Sequence, residues 1–155
     1  MDDATRTAAV ERLEPLVGEW AVEARFTFTP EPTRGTLHFA WQLGRQFLQQ
    51  RSTTEHPAAP DVLALLSVAE EGDGHEYVQH YFDSRGVVRL YRMTLRDNEW
   101  TLLRDRADFT PLDFAQRYTG TFGHDGRTIT GRWEKSHDDG ATWEHDFDLD
   151  HRKLT

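Results

Sequence analysis

The 155-residue chain contains no cysteine, which excludes a disulfide framework, a thiolate nucleophile and any thiolate-ligated metal. No apolar run approaches the length needed to span a bilayer. The opening residues Met1-Asp2-Asp3-Ala4-Thr5-Arg6 are acidic and polar, where a secretory signal needs a basic segment followed by an apolar one. A cytoplasmic protein with no membrane insertion is therefore expected. Cations are scarce: 18 Lys and Arg stand against 27 Asp and Glu, leaving a formal net charge of −9. Such a surface repels phosphates, so no nucleic-acid partner is expected. Neither a Gly-x-Ser-x-Gly elbow nor a phosphate-cradling glycine loop occurs, which argues against a serine hydrolase and against nucleotide use.

Rings are what the chain does have. Aromatic residues make up 12% of it, five of them Trp, and on an otherwise hydrophilic chain they point to a ring-lined core inside a solvated shell. One domain over residues 1–155 suits this length, because a domain of that size buries roughly two-thirds of its unfolded surface without staples.

Ala9, Leu13, Leu16 and Val17 share one side at spacings of three or four, which predicts a helix over 7–17 with Pro15 disturbing its last turn. Gly18 punctuates, and the period then changes to two. Trp20, Val22, Ala24, Phe26 and Phe28 alternate with polar residues, and further strands are predicted near 36–43, 46–54, 62–68, 77–83, 87–95, 100–106, 114–122, 128–136 and 143–151. His124-Asp125-Gly126 and Asp138-Asp139-Gly140 mark tight hairpins. About ten strands joined by short turns, with no second helical run for βαβ crossovers, predict an all-β fold: a single up-and-down antiparallel β-barrel over 18–152 behind a short N-terminal helix. Closure removes the two edges an open sheet would expose, which favours the barrel over a sandwich.

Leu16-Val17-Gly18-Glu19-Trp20, a helix running into Gly-x-Trp at the first strand, resembles the opening of calycin-type barrels, where the Trp plugs one end. Together with His80-Tyr81-Phe82-Asp83-Ser84-Arg85-Gly86, Tyr118-Thr119-Gly120-Thr121-Phe122, Gly131-Arg132-Trp133-Glu134-Lys135-Ser136 and Trp143-Glu144-His145-Asp146-Phe147, it is similar to a bacterial lipocalin-like family of ten-stranded barrels. The resemblance spans essentially the whole chain. It implies a calycin-like fold related to fatty-acid-binding proteins and, more distantly, to nitrobindins, and it brings no agreed activity. Nitrobindins would imply haem, held by a late-strand His such as His145 or His151. Their glycine-rich first strand ending in Tyr-Pro has no counterpart in Gly18 to Phe26.

Every second residue of a barrel strand faces inward. In the last strand Trp143, His145, Phe147, Leu149 and His151 share a face opposite Glu144, Asp146, Asp148 and Asp150, and four acids cannot share an apolar interior. The ring face is expected inward, with both histidines. The same reasoning places Val78, His80 and Phe82 inside, as well as Trp100, Leu102 and Arg104, the face with Tyr91 and Met93, and Gln116, Tyr118, Ile129, Gly131 and Trp133. Rings at these positions either fill a small barrel or line a cavity in it. The expected ligand-binding set is Trp41, His80, Tyr91, Arg104, Gln116, Tyr118, Trp133, Trp143 and His145, suited to a hydrophobic or aromatic molecule with one acidic or carbonyl group. Acids at His137-Asp138-Asp139 belong to a hairpin turn, and parity sends those of the last strand away from His145, so no metal is expected. Three functions remain: a carrier or sensor for a small hydrophobic molecule; a cofactor-free cyclase, isomerase or proton-transfer enzyme with His145 or His80 as the acid or base; and haem binding. A homodimer is compatible with each.

Overall fold

The computed structural model describes all 155 residues. Helix α1 (Asp3–Glu11) leads through a 3-10 turn (Glu14–Leu16) into ten strands. These are β1 (Gly18–Phe26), β2 (Thr33–Gln42), β3 (Phe47–Thr54), β4 (Val62–Val68), β5 (Glu76–Asp83), β6 (Val88–Arg96), β7 (Glu99–Arg104), β8 (Ala115–Phe122), β9 (Thr128–Ser136) and β10 (Glu144–Lys153). Each strand pairs antiparallel with its sequence neighbours, and β1 closes on β10 to complete the barrel. The all-β, up-and-down closure read from the alternation is the architecture observed. The structure contains no helix long and apolar enough to cross a membrane.

The helix differs from the expected 7–17 at both ends. Asp2 caps it early, its carboxylate accepting from the Thr5 amide at 2.7 Å. Pro15 has no amide hydrogen and crowds the preceding turn, so the chain after Glu11 tightens into the 3-10 turn instead of continuing as α-helix.

That helical segment is the stopper of the barrel. Ala9, Val10, Leu13 and Leu16 pack with Trp20, Phe39, Leu48, Leu66, Val68 and Met93 in one buried cluster. The Trp20 indole donates to the Leu16 carbonyl at 2.8 Å and the Tyr77 hydroxyl to the Ala9 carbonyl at 2.7 Å, so both rings bury their polar tips without loss. Full burial of a ring the size of Trp20 is worth roughly 3 kcal/mol.

The structure departs from the expected strand parity in two places. In β5 the inward residues are Tyr77, Gln79 and Tyr81, while Val78, His80 and Phe82 face out. Apolarity alone ranked the second set inside. The first set wins because each polar tip has an internal partner: Tyr77 on Ala9, Gln79 on Gln50 at 3.0 Å and Tyr81 on Asp83 at 2.8 Å. In β10 the register with β9 slips between His145 and Phe147, so one residue is extra. From Phe147 on, the expected parity holds. Before the slip it inverts, and His145 comes out on the outer wall.

Tyr118 lies across two glycines. A Cβ at Gly131 would stand 2.2 Å from the Tyr118 hydroxyl oxygen, and one at Gly120 2.8 Å from the ring. Gly131→Ala should therefore lower stability by about 1–3 kcal/mol in urea unfolding, since the buried ring has no free rotamer to take. An unchanged midpoint would show that Tyr118 is not held against β9.

Candidate functional site: a cavity in the open half of the barrel

Inward side chains shrink from the stoppered end toward the other. On β1 they run Trp20, Val22, Ala24; on β2 Phe39, Leu37, Gly35; on β3 Leu48, Gln50, Ser52; on β4 Leu66 gives way to Ala64. The facing wall carries large rings: Tyr81, Tyr91, Tyr118, Trp133 and Phe147. Small residues opposite large ones leave a cavity of about 530 Å³, within the range of sites for small molecules.

Its floor is Trp100, Tyr118 and His151, with Trp100 at 5.2 Å from Tyr118 and 5.6 Å from His151 between ring centres. Trp133 joins that group to the upper wall, lying 5.4 Å from Tyr118 and 5.7 Å from Tyr91. At the mouth Phe26 stacks with Phe28 at 5.1 Å, and Phe28 is 80% exposed. The rings of the floor and upper wall hold one another edge-on or tilted, an arrangement their quadrupoles favour.

Polar groups are few. The Gln116 side-chain oxygen accepts from Arg89 Nη1 at 2.8 Å and from the Tyr91 hydroxyl at 3.3 Å. Arg85, at the rim, is held by Asp83 at 2.6 Å. Burial raises the pKa values of Tyr81, Tyr91 and Tyr118, which keeps them as neutral hydroxyls. Burial likewise lowers His151 to about 4 because a charged imidazole cannot be solvated there. Its Nδ1 faces the Tyr118 hydroxyl at 3.5 Å, and Nε2 makes no hydrogen bond within the protein.

Of the nine residues expected at the site, Tyr91, Gln116, Tyr118 and Trp133 meet around the cavity. The other five do not. Trp41 is on the inner side of β2 but at the stoppered end, where its indole donates to Glu14 at 3.1 Å and Arg45 covers the ring. His80 faces outward with Leu65 and Leu90 as cross-strand neighbours. Arg104 is consumed by Asp108, with both side chains 4% exposed and two bonds of 2.9 Å. That pair fixes the loop before β8, since Asp108 also accepts from the Leu90 amide. Trp143 lies outside under Arg117, whose guanidinium stands 4.2 Å from the ring centre. His145 is 43% exposed and bonds Asp148 at 2.9 Å. Asp148, expected on the face opposite His145, is thus on its own side.

Arg89, Trp100 and His151 are among the cavity residues absent from the expected set. All three lie on faces read as inward, and the narrowing of β1 to β4 was the sequence signal that would have located the space.

No family model matches the chain, and no curated protein is similar to it in sequence. Among solved structures it is similar in fold to the crystal structure of Rv2717c from M. tuberculosis, with a TM-score of 0.68 at 16% identity over 95% of this chain and 98% of the other. At that identity the likeness extends to the ten-stranded barrel.

His151 makes stability depend on pH in a defined window. The unfolded chain protonates it near 6.5 and the folded protein only near about 4, so between these values the unfolded state binds more protons and stability falls as pH falls. The full loss is on the order of 3 kcal/mol. Asp108, whose pKa its bonds to Arg104 depress, contributes stability that is lost only below the ordinary carboxylate value, outside this window. Urea midpoints should drop between pH 7 and 4.5 in the wild type, and most of that drop should be absent in His151→Phe. Equal pH dependence of the two proteins would contradict a buried neutral imidazole.

Proposed function

We propose that the protein binds a small, largely apolar molecule, with a planar ring, in the open half of the barrel, as a carrier or sensor. The observation that carries this is the cavity of about 530 Å³ between the narrowed wall of β1 to β4 and the ring wall opposite. A filled interior would have needed side chains larger than Ala24, Gly35 and Ser52 at those inward positions. Transfer of a ring from water into this space supplies affinity at roughly 25 cal/mol per Å² of apolar surface removed, and the sparse polar groups set orientation. A calycin-type relationship belongs to the same reading, supported by the closed ten-strand order and by Gly18-Glu19-Trp20 entering β1 beneath the helix. Acid–base catalysis by His80 or His145 has no support, because both side chains are on the outer wall.

One observation favours haem as a second reading. His151 faces the cavity as a neutral imidazole, the protonation state that ligates iron. The residues present fit that group: His151 would hold the iron, the ring walls would hold the macrocycle, and Arg89 would meet a propionate. A bound haem would supply an iron centre for a small diatomic ligand or an electron. Titration with haemin should then give a Soret band that His151→Ala abolishes, and no band in the wild type removes this reading.

The carrier reading is tested with N-phenyl-1-naphthylamine, a neutral apolar fluorophore. One equivalent should bind with enhanced, blue-shifted emission. Ala24→Phe, which puts a ring into the space from β1, should weaken binding by on the order of tenfold or more while retaining a cooperative melt. Binding that is absent in the wild type, or indifferent to Ala24→Phe, would overturn it.

A further inference from the structure

The chain has 27 Asp and Glu, and none of them lines the cavity. Two arginines do. Arg85 is neutralised by Asp83, and the neighbouring Arg104 by Asp108. Arg89 has no such partner: its protein hydrogen bond runs from Nη1 to the neutral Gln116, and its Nε is buried with no partner at all. A buried N–H left unpaired is costly, more so on a charged group.

Gln116 adds to the imbalance. Arg89 can only donate, so the amide oxygen of Gln116 must face it, and the Tyr91 hydroxyl donates to the same oxygen. The amide nitrogen is thereby turned away and makes no hydrogen bond within the protein. Arg89 and Gln116 together present free donors and no free acceptor. Trp100, on the cavity floor, adds a further buried indole N–H without a partner.

We infer that the ligand enters as an anion, a carboxylate carried on an apolar ring body, with Arg89 as its anchor and the Gln116 amide beside it. This rests on the binding function proposed above. A carboxylate matches the planar donor edge of a guanidinium with two oxygens, satisfies Nε and replaces the missing counter-charge. A chain with a net charge of −9 thus holds an uncompensated cation where its ligand is received, and that selects against neutral apolar molecules of the same shape.

The experiment compares two nearly isosteric probes, 2-naphthoate and 2-acetylnaphthalene, by calorimetry at pH 7.5 in the wild type, Arg89→Met and Arg89→Lys, with thermal melts to confirm folding. The wild type should prefer naphthoate by roughly tenfold to a hundredfold, the usual effect of a charge-assisted hydrogen bond. In Arg89→Met that ratio should fall to about one, and Arg89→Lys should lie between, since it keeps the charge and loses the fork. Equal binding of the two probes by the wild type overturns the inference and leaves the cavity function standing, as does a preference that survives in Arg89→Met. If neither probe binds the wild type, the binding function fails and the inference with it. Should Arg89→Met unfold, the wild-type ratio and the Arg89→Lys ratio decide the matter.

Discussion

A closed barrel must be filled, and this chain has one helix with which to do it. Closing β1 on β10 leaves two ends and an interior that side chains must occupy. The segment from Ala9 to Leu16 fills one end, tied there by the Trp20 bond to Leu16 and the Tyr77 bond to Ala9. Nothing equivalent reaches the other end. With inward residues on β1 to β4 reduced to Ala24, Gly35 and Ser52, the interior there stays open. Stopper and cavity are two consequences of the same arrangement: stability is concentrated where the helix packs, and the remaining half stays hollow.

Charge follows that division. The acids are on the outer wall, in turns, or spent on neighbouring arginines, as Asp83 on Arg85 and Asp108 on Arg104. What the cavity retains is neutral hydroxyls, a neutral His151 and the unpaired Arg89. Low polarity around one positive group makes it count for more than it would in water, which is the physical basis of the anionic ligand proposed for this space.

Strand number, strand order and the N-terminal helix were legible in the sequence because alternation, Asp-Gly turns and the need to remove edges all pointed the same way. The site was legible in part. Tyr91, Gln116, Tyr118 and Trp133 followed from parity. His80 did not, because hydrophobicity ranks Val78 and Phe82 above Tyr77 and Tyr81 and cannot foresee that Ala9 and Asp83 will satisfy the tyrosine hydroxyls. His145 failed for a different reason: a bulge adds one residue and turns the face over, and no residue type announces it. Arg104 has the inward parity expected of it, but Asp108, four residues on, holds its guanidinium. Trp41 and Trp143 show that a ring of the right type can serve outside the cavity, one beneath Arg45 and the other beneath Arg117.

The most direct measurement is a crystal structure of the wild-type protein grown with 2-naphthoate. The account predicts one molecule in the open half of the barrel, above Trp100, its ring between the Trp133 and Tyr118 wall and the Ala24 and Gly35 wall. An interior filled by rearranged rings, or a naphthoate found on the outer wall beside Val78 and Phe82, would contradict it.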